Sequence, residues 1–373
     1  MNGNLEKKFD ASRPDGRSPN ANPEADTGAD TEAILQTALR APSAENTQPW
    51  RVERGRTGVL VRYDRSRRMP SDPGGMLDYT GLGALIESIV LAASGRGLLA
   101  TVEAPPPRDD DDRLPLVADI RFAPGGAPDP LCEFLASRCT TRRMAADKPV
   151  PGDLLESMAR AVRQPGVRID WIPAGRVRDV AALVGDATRL RFEHAEYHRE
   201  FYENLRFTRD EAERTGDGLD VATLQLPPGV ASVMRFFRKW SRTRVGNLLG
   251  YSRGIGSHAA KEVAGSGAVG MLTVEEPDPG SFLRGGRDFQ RVWLEATRLG
   301  LAFHPVAGLT VFVGHGERPD AIESPPDLIE KTRQIAGRFR SLAPAASGRT
   351  PQMMFRVGYG PRPAVASLRR PIG

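Results

Sequence analysis

The stretch Ala41-Pro42-Ser43-Ala44-Glu45-Asn46-Thr47-Gln48-Pro49-Trp50 decides how this 373-residue chain is read. Pro42 and Pro49 fix φ at both ends and oppose helix between them, while Ser43, Asn46 and Gln48 offer donors and acceptors on a stiff, irregular backbone. Composition alone reads this as a helix stop followed by a turn into a strand; the same loop can also hold a flat polar heterocycle. Before it, Ile34, Leu35, Ala38 and Leu39 share one face of a helix capped at Asp30 or Thr31. After it come a predicted strand over 58–63, a long helix over 81–94, and strands over 98–103 and 116–122.

Working outward, the chain shows weak self-similarity. Gly83 to Leu98 lies over Gly286 to Leu301 without a gap: glycine agrees at 83/286 and 97/300, leucine at 91/294 and 98/301, and alanine at 93/296. Ile34 to Ala41 lies over Leu154 to Ala161 in the same order. Chance likeness of amphipathic helices is one reading. The other is a duplicated α+β unit with halves near 30–135 and 136–373, the second carrying a helical insertion over about 180–265.

The loop at 41–50 resembles the P-S-x-x-N-x-Q-P-W motif of the nitroreductase family, with Pro42, Ser43, Asn46, Gln48, Pro49 and Trp50 in register. In that family the loop touches the flavin ring and ribityl chain, which implies contacts from Pro42, Ser43, Ala44, Asn46 and Gln48. Arg138-Cys139-Thr140-Thr141-Arg142-Arg143-Met144 resembles the family's phosphate-gripping R-R-S-x-R-x-F/Y motif; Arg138, Thr140 and Arg142 match, and Cys139 and Met144 depart. Guanidinium forks and a hydroxyl suit a dianionic phosphate, and the resemblance puts Arg142 near N1 and O2 of the ring. His304-Pro305-Val306-Ala307-Gly308-Leu309 is similar to the family's P-x-E-G turn, whose glycine N–H faces flavin N5. Ala307 replaces the usual Glu, and His304 is a candidate residue of the substrate pocket. Arg356-Val357-Gly358-Tyr359-Gly360 and Ser367-Leu368-Arg369-Arg370-Pro371 resemble the family's C-terminal motifs, which implies that Arg369, with Arg370 second, reaches the phosphate.

The motifs are unevenly distributed. Counterparts of Arg138 and Arg142 in the first half fall on Ser18 and Asn22, and Val162 to Gly166 holds no counterpart of the Pro-rich loop. The resemblance is thus to tandem, single-chain (Acg-type) nitroreductases, with one composite flavin site. It implies an α+β fold of two fused repeats imitating the family homodimer, with antiparallel-dominated sheets flanked by helices. The expected boundaries are a disordered tail over 1–28, a first half over 29–135 and a second half over 136–373. The implied activity is FMN-dependent hydride transfer, fed by NAD(P)H, in ping-pong order to a nitroaromatic, a quinone or an intermediate of specialised metabolism. A non-catalytic protein that sequesters FMN under a lid is the alternative. One chain supplies both sides of the site, and further dimerisation stays open.

Composition narrows the remaining classes. The net charge is +5, but 47 acidic residues offset 52 basic ones, so nucleic acid is not an expected partner. The most apolar window, 82–100, is interrupted by Gly83, Glu87, Ser94, Gly95 and Arg96 and reads as a core helix, so no membrane partner is expected either. Cys132 and Cys139 match no metal or disulfide spacing, and no secretory signal is visible, which together point to the cytoplasm. Gly265 to Gly270 is a literal GxGxxG but runs into a strand rather than a helix, which excludes a dinucleotide fingerprint. His194 and His198 stand at i and i+4, but Glu196 is one position too late for HExxH, and the pair reads as an exposed or lid-facing polar face. The acidic run Asp109 to Asp112 reads as a solvated loop, and Arg235 to Arg244, whose aromatics interleaved with bases could also suit a nucleic-acid or membrane-surface helix, reads as a packed lid helix.

Overall fold

The computed structural model describes residues 23–103, 112–146, 148–321, 326–343 and 346–371. Residues 1–22 of the expected tail, and Asp109 to Asp111 of the acidic run, lie outside the described residues. Helix α1 (Pro23–Ala38) starts ahead of the cap expected at Asp30 or Thr31, so residues 23–28 are helical rather than tail. Proline is tolerated in the first turn of a helix, which is why Pro23 opens this one rather than blocking it.

The first half continues with β1 (Trp50–Arg54), β2 (Gly58–Tyr63), α2 (Met76–Ser94), β3 (Leu98–Glu103) and β4 (Leu116–Pro124), in an antiparallel sheet of order β1-β2-β4-β3. The second half contains α3 (Gly152–Arg160) and β5 (Val167–Trp171). A mostly helical segment, called the lid here, follows: α4 (Val177–Glu193), α5 (Ala195–Glu203), β6 (Leu205–Arg206), α6 (Arg209–Thr215), β7 (Leu219–Asp220), α7 (Val230–Phe236), α8 (Trp240–Leu248) and α9 (Tyr251–Ala264). Then come β8 (Ala268–Val274), α10 (Pro279–Arg298), β9 (Ala302–Pro305), α11 (Ala307–Glu317), α12 (Pro326–Leu342) and β10 (Thr350–Gly358). The second sheet runs β5-β8-β10-β9, again antiparallel. Its order is that of the first, position for position, and a long helix links the second and third strands of each half. Among the described residues only the two-residue β6–β7 ladder in the lid is parallel. The fold is therefore α+β, with antiparallel sheets flanked by helices.

The two long helices cross at the glycines that the sequence pairs. A Cβ on Gly83 would lie 2.2 Å from the carbonyl oxygen of Leu283, and one on Gly286 would lie 2.4 Å from that of Thr80. Each glycine thus faces the residue three positions before the other, a two-fold relation between α2 and α10. Beside the crossing, Glu87 binds Arg287 at 2.8 Å and Arg291 at 2.9 Å, and Gln290 donates to Ser88 Oγ at 3.0 Å. The segment Pro73–Ser94 is apolar and long enough to cross a membrane, but 89% of its most apolar window is buried within the protein. It is a core helix, as its interrupting polar residues predict.

Two cores flank this crossing. One packs Ile34, Leu35, Leu85, Ile86 and Ile89 under the first sheet. The other is aromatic: Phe303 stacks on Trp293 and on Phe355, each at 4.8 Å between ring centroids. Fully burying each such side chain stabilises the fold by roughly 1.5–3 kcal/mol. Within the lid, α4 and α5 break at His194, so His194 and His198 do not share one helix. His198 is buried rather than exposed and faces the lid's own helices, with Nε2 2.9 Å from the carbonyl of Phe237.

Candidate functional site

The Pro-rich loop is held in a strained conformation. Glu45, Asn46 and Gln48 have φ of 47°, 57° and 52°, and Ser43 Oγ closes the turn by accepting from Gln48 N at 2.9 Å. Among the described residues only one other non-glycine, Gln225 in the lid, has positive φ (54°). Side chains rarely adopt this region, and such strain persists where surrounding contacts over-determine it.

Those contacts come from the lid and the C-terminal tail. Asn46 Nδ2 donates to the carbonyls of Gly218 and Leu368, both at 3.1 Å. Gln48 Nε2 donates to Gly216 O at 2.9 Å, and its Oε1 accepts from Arg370 N at 3.0 Å. Asp217, between the two lid glycines, pairs with Arg370 and with Arg206. Gln48 therefore joins loop, lid and tail, and both ends of its amide are occupied by protein. Glu45 pairs with Arg191 of α4; burial still holds its carboxyl above the usual range, although the guanidinium pulls the other way. Ser43 packs on α2 at Gly81, and Ala44 lies against the aromatic core, as does Ala307.

Arginines converge just ahead of Pro42. Arg138 Nη2 donates to the carbonyl of Arg40 at 2.9 Å, and Arg369 Nη2 donates to the same carbonyl at 3.0 Å and to that of Ala41 at 3.2 Å. Arg369 Nε adds a bond to Leu39 O at 3.1 Å. The Arg138 guanidinium lies 4.3 Å above the Trp293 ring. None of Arg40, Arg138 and Arg369 forms an ion pair among the described residues, and the buried Nε atoms of Arg40 and Arg138 have no partner. Burial and the neighbouring positive charge push Arg138 down to about 9 and Arg369 down to about 10, so both remain cationic at neutral pH. Arg40 and Arg369 also line an open groove of about 830 Å³ between α1 and residues 364–371. Buried cations without counter-ions are costly, and an anion offsets that cost.

A second cluster forms four residues along, at Arg142. Its backbone N–H donates to Gln225 Oε1 at 2.7 Å, and its side chain to Thr223 O at 3.2 Å, so the lid residue Gln225 fixes this turn. In the β9–β10 register His304 faces Arg356, whose Nε donates to His304 Nδ1 at 2.9 Å. Arg356 also bonds the carbonyl of Arg142 at 2.6 Å and Glu262 at 3.2 Å. Burial first, then Arg356 and Arg142, hold His304 well below its ordinary pKa. The imidazole is neutral, and because Nδ1 accepts, its proton sits on Nε2. Gly308 is exposed in the first turn of α11, with open space where a Cβ would lie. Thr140 is half-buried on the segment between the two clusters.

The structure thus brings the Pro-rich loop, Arg138, Arg369 and Arg370 into mutual contact and places Arg142 beside His304. Residues 138 and 142 are separated by at most about 14 Å of extended chain. The arrangement suits a ligand with an anionic group at one end and a flat polar body at the other, and the orphaned Nε atoms fit the phosphate of FMN. Sequence reasoning missed Arg40, Gln225 and Asp217. Arg40 stands directly before Ala41-Pro42, whereas Gln225 and Asp217 match no motif, because the lid meets the site only in three dimensions.

No family model matches the chain. An uncharacterized protein of Mycobacterium tuberculosis is 26% identical over 91% of the chain, which spans about half (47%) of that relative's length. Two putative NAD(P)H nitroreductases of the same organism, one of them named acg, are each 28% identical over 93% of the chain, which covers 90% and 96% of their lengths. Among solved structures, a nitroreductase with bound FMN from Bacteroides fragilis is 12% identical, with TM-score 0.33 over 65% of this chain and 94% of that one. The chain is thus similar to those two relatives across more than nine-tenths of its length, and it carries the loop and arginine motifs described above.

Proposed function

We propose that the chain is an FMN-dependent oxidoreductase of the nitroreductase type, acting on a small-molecule acceptor. The observation that carries this reading is the trio of buried Arg138 with half-buried Arg40 and Arg369, which has no carboxylate partner among the described residues. Arg138 and Arg369 would hold the phosphate. Pro42, Ser43 and Ala44 would form one wall for the ring, with Arg142, Thr140, Ala307 and Gly308 on the opposite side. Asn46, Gln48 and Arg370 would brace that wall through the lid and tail. When bound, FMN would supply hydride-transfer chemistry between NAD(P)H and a nitroaromatic, quinone or related acceptor, in ping-pong order. The cationic Arg142 would balance negative charge that builds up at the ring. His304, neutral with its proton on Nε2, would serve as a hydrogen-bond donor rather than an acid at neutral pH. The lid would exclude water.

The contacts of Arg191 with Glu45 and of Glu200 with Ser71, the latter at 2.8 Å to the backbone N–H, hold the lid against the first half. They favour a second reading, in which the protein keeps FMN out of reach. The purified protein, reconstituted with FMN, is mixed with NADPH or NADH without oxygen. Rapid bleaching of the flavin absorbance supports the enzyme, a bound but inert flavin supports sequestration, and failure to retain FMN defeats both.

A further inference from the structure

Between Asp220 and Glu262 the chain contains no acidic residue but seven basic ones: Arg235, Arg238, Lys239, Arg242, Arg244, Arg253 and Lys261. The expectation that acids offset bases throughout fails here. Nor is the segment one packed lid helix: it breaks into α7 and α8 at Phe237 to Lys239, and much of it faces solvent.

The exposed face is apolar as well as basic. Of the six large hydrophobic side chains exposed among the described residues, five lie here: Val233, Phe236, Val245, Leu248 (86% exposed) and Leu249 (87% exposed). Helix α8 buries Thr243 and Gly246 against the lid, which turns Val245, Leu248 and Leu249 outward on the opposite face. Arg242 and Arg244 flank that trio, and Gly250, at φ 92°, ends the projection. None of Arg235, Arg238, Lys239, Arg242, Arg244 and Arg253 forms an ion pair among the described residues; Glu211 is the acid near Arg235 and Arg238. Arg242 lies over the Phe236 ring at 4.6 Å, and Arg235 and Arg238 lie over Phe207. These contacts orient the cations without neutralising them.

We propose that α7, α8 and the tip at Leu248-Leu249 form a docking surface for an anionic lipid bilayer. The headgroup–acyl boundary accepts aliphatic and aromatic side chains, while negative headgroups attract Lys and Arg, so one partner satisfies both halves of this surface. A second copy does not, because two such faces would oppose like charges. Nucleic acid would match the charge but leave Val245, Leu248 and Leu249 without a use. The contact lies on the surface and needs no spanning segment. It replaces the sequence expectation that the chain has no membrane partner, and it is independent of the flavin.

The test is flotation of the full chain with vesicles of phosphatidylcholine alone or mixed with phosphatidylglycerol. Binding is expected only to the mixed vesicles and should weaken as salt rises. Loss of one cation, in Arg242→Gln or Arg244→Gln, should weaken it about fivefold. Leu248→Ser with Leu249→Ser should weaken it at least about tenfold. Both leucines are exposed, so the fold should survive, which circular dichroism checks. Equal flotation with neutral vesicles, flotation with neither, self-association that the Leu248→Ser/Leu249→Ser protein abolishes, or oligonucleotide binding without flotation would each overturn the proposal.

Discussion

Arg138 and Arg369 donate to the same carbonyl, that of Arg40, from 2.9 and 3.0 Å. Their positions are far apart in sequence, and among the described residues no carboxylate pairs with either. The shared acceptor holds two cations together that would otherwise repel. It does not neutralise them, and burial together with the neighbouring arginine charge holds both below the ordinary arginine range.

Arg138→Met should therefore separate binding from folding. Methionine keeps apolar contact with Trp293 and removes a buried uncompensated charge, while Arg369 still bonds the Arg40 carbonyl. The unliganded variant should be at least as stable as the parent, yet bind FMN about ten- to a hundredfold more weakly, the scale of 1.5–3 kcal/mol for a charged hydrogen bond. Urea denaturation and fluorescence titration with FMN measure the two quantities. Unchanged FMN affinity would remove Arg138 from the phosphate site.

Gly83 and Gly286 make a second pair whose relation is testable by symmetry. Alanine normally gains about 1 kcal/mol over glycine inside a helix. Here the added Cβ would sit 2.2 or 2.4 Å from a carbonyl oxygen of the other helix, so α2 and α10 must move apart. Each single alanine variant should lower stability by about 1–3 kcal/mol, and the two by similar amounts. A strong effect at one position and none at the other would show that the crossing is not the symmetric contact inferred from the repeat.

The strands over 58–63, 98–103 and 116–122 were legible in the sequence because they depend on local patterning, and the repeat paired Gly83 with Gly286 without saying that their helices would cross there. The sequence announced Arg138 and Arg369 only through resemblance, since nothing local says that a residue near the C-terminus returns to the end of α1. Gln48 read as a flavin contact, but its polar groups bond Gly216, Asn46 and Arg370. A motif gives the residue types at a loop and not which partner each finds first. The start of α1 was misplaced because a proline in the first turn looks the same in a tail and in a helix.

The Glu45–Arg191 pair ties α4 to the strained loop across the lid boundary. If the lid gates the flavin, Arg191→Gln should speed FMN release about tenfold, the effect of losing roughly 1.4 kcal/mol of a charged hydrogen bond. Glu45→Gln should act in the same direction, and the double variant should do no more than the stronger single one, because each change removes the same contact. Dissociation into excess apo-flavodoxin, followed by fluorescence, gives the rate. Additive effects of the two changes would show that the pair is not the latch.

Asp72 and Asp78 supply a pH dependence of known sign. Asp72 accepts from the backbone N–H groups of Leu77 and Asp78 at the start of α2, and Asp78 accepts from the Tyr63 hydroxyl at 2.7 Å. Burial, and for Asp72 the neighbouring Asp78 carboxylate as well, raises both; Asp78 is pushed up to about 6. A carboxyl whose folded pKa lies above its unfolded value binds its proton more tightly in the folded state. Its contribution to stability is therefore greatest in acid and declines as pH rises from about 4 through about 6. Asp78→Asn removes that decline while keeping an oxygen acceptor for Tyr63. Relative to the parent, the variant should gain stability between about pH 5 and about pH 7.5, as read from urea midpoints at the two pH values. Parallel pH profiles for the two proteins would mean that Asp78 titrates in the folded chain as it does in the unfolded one.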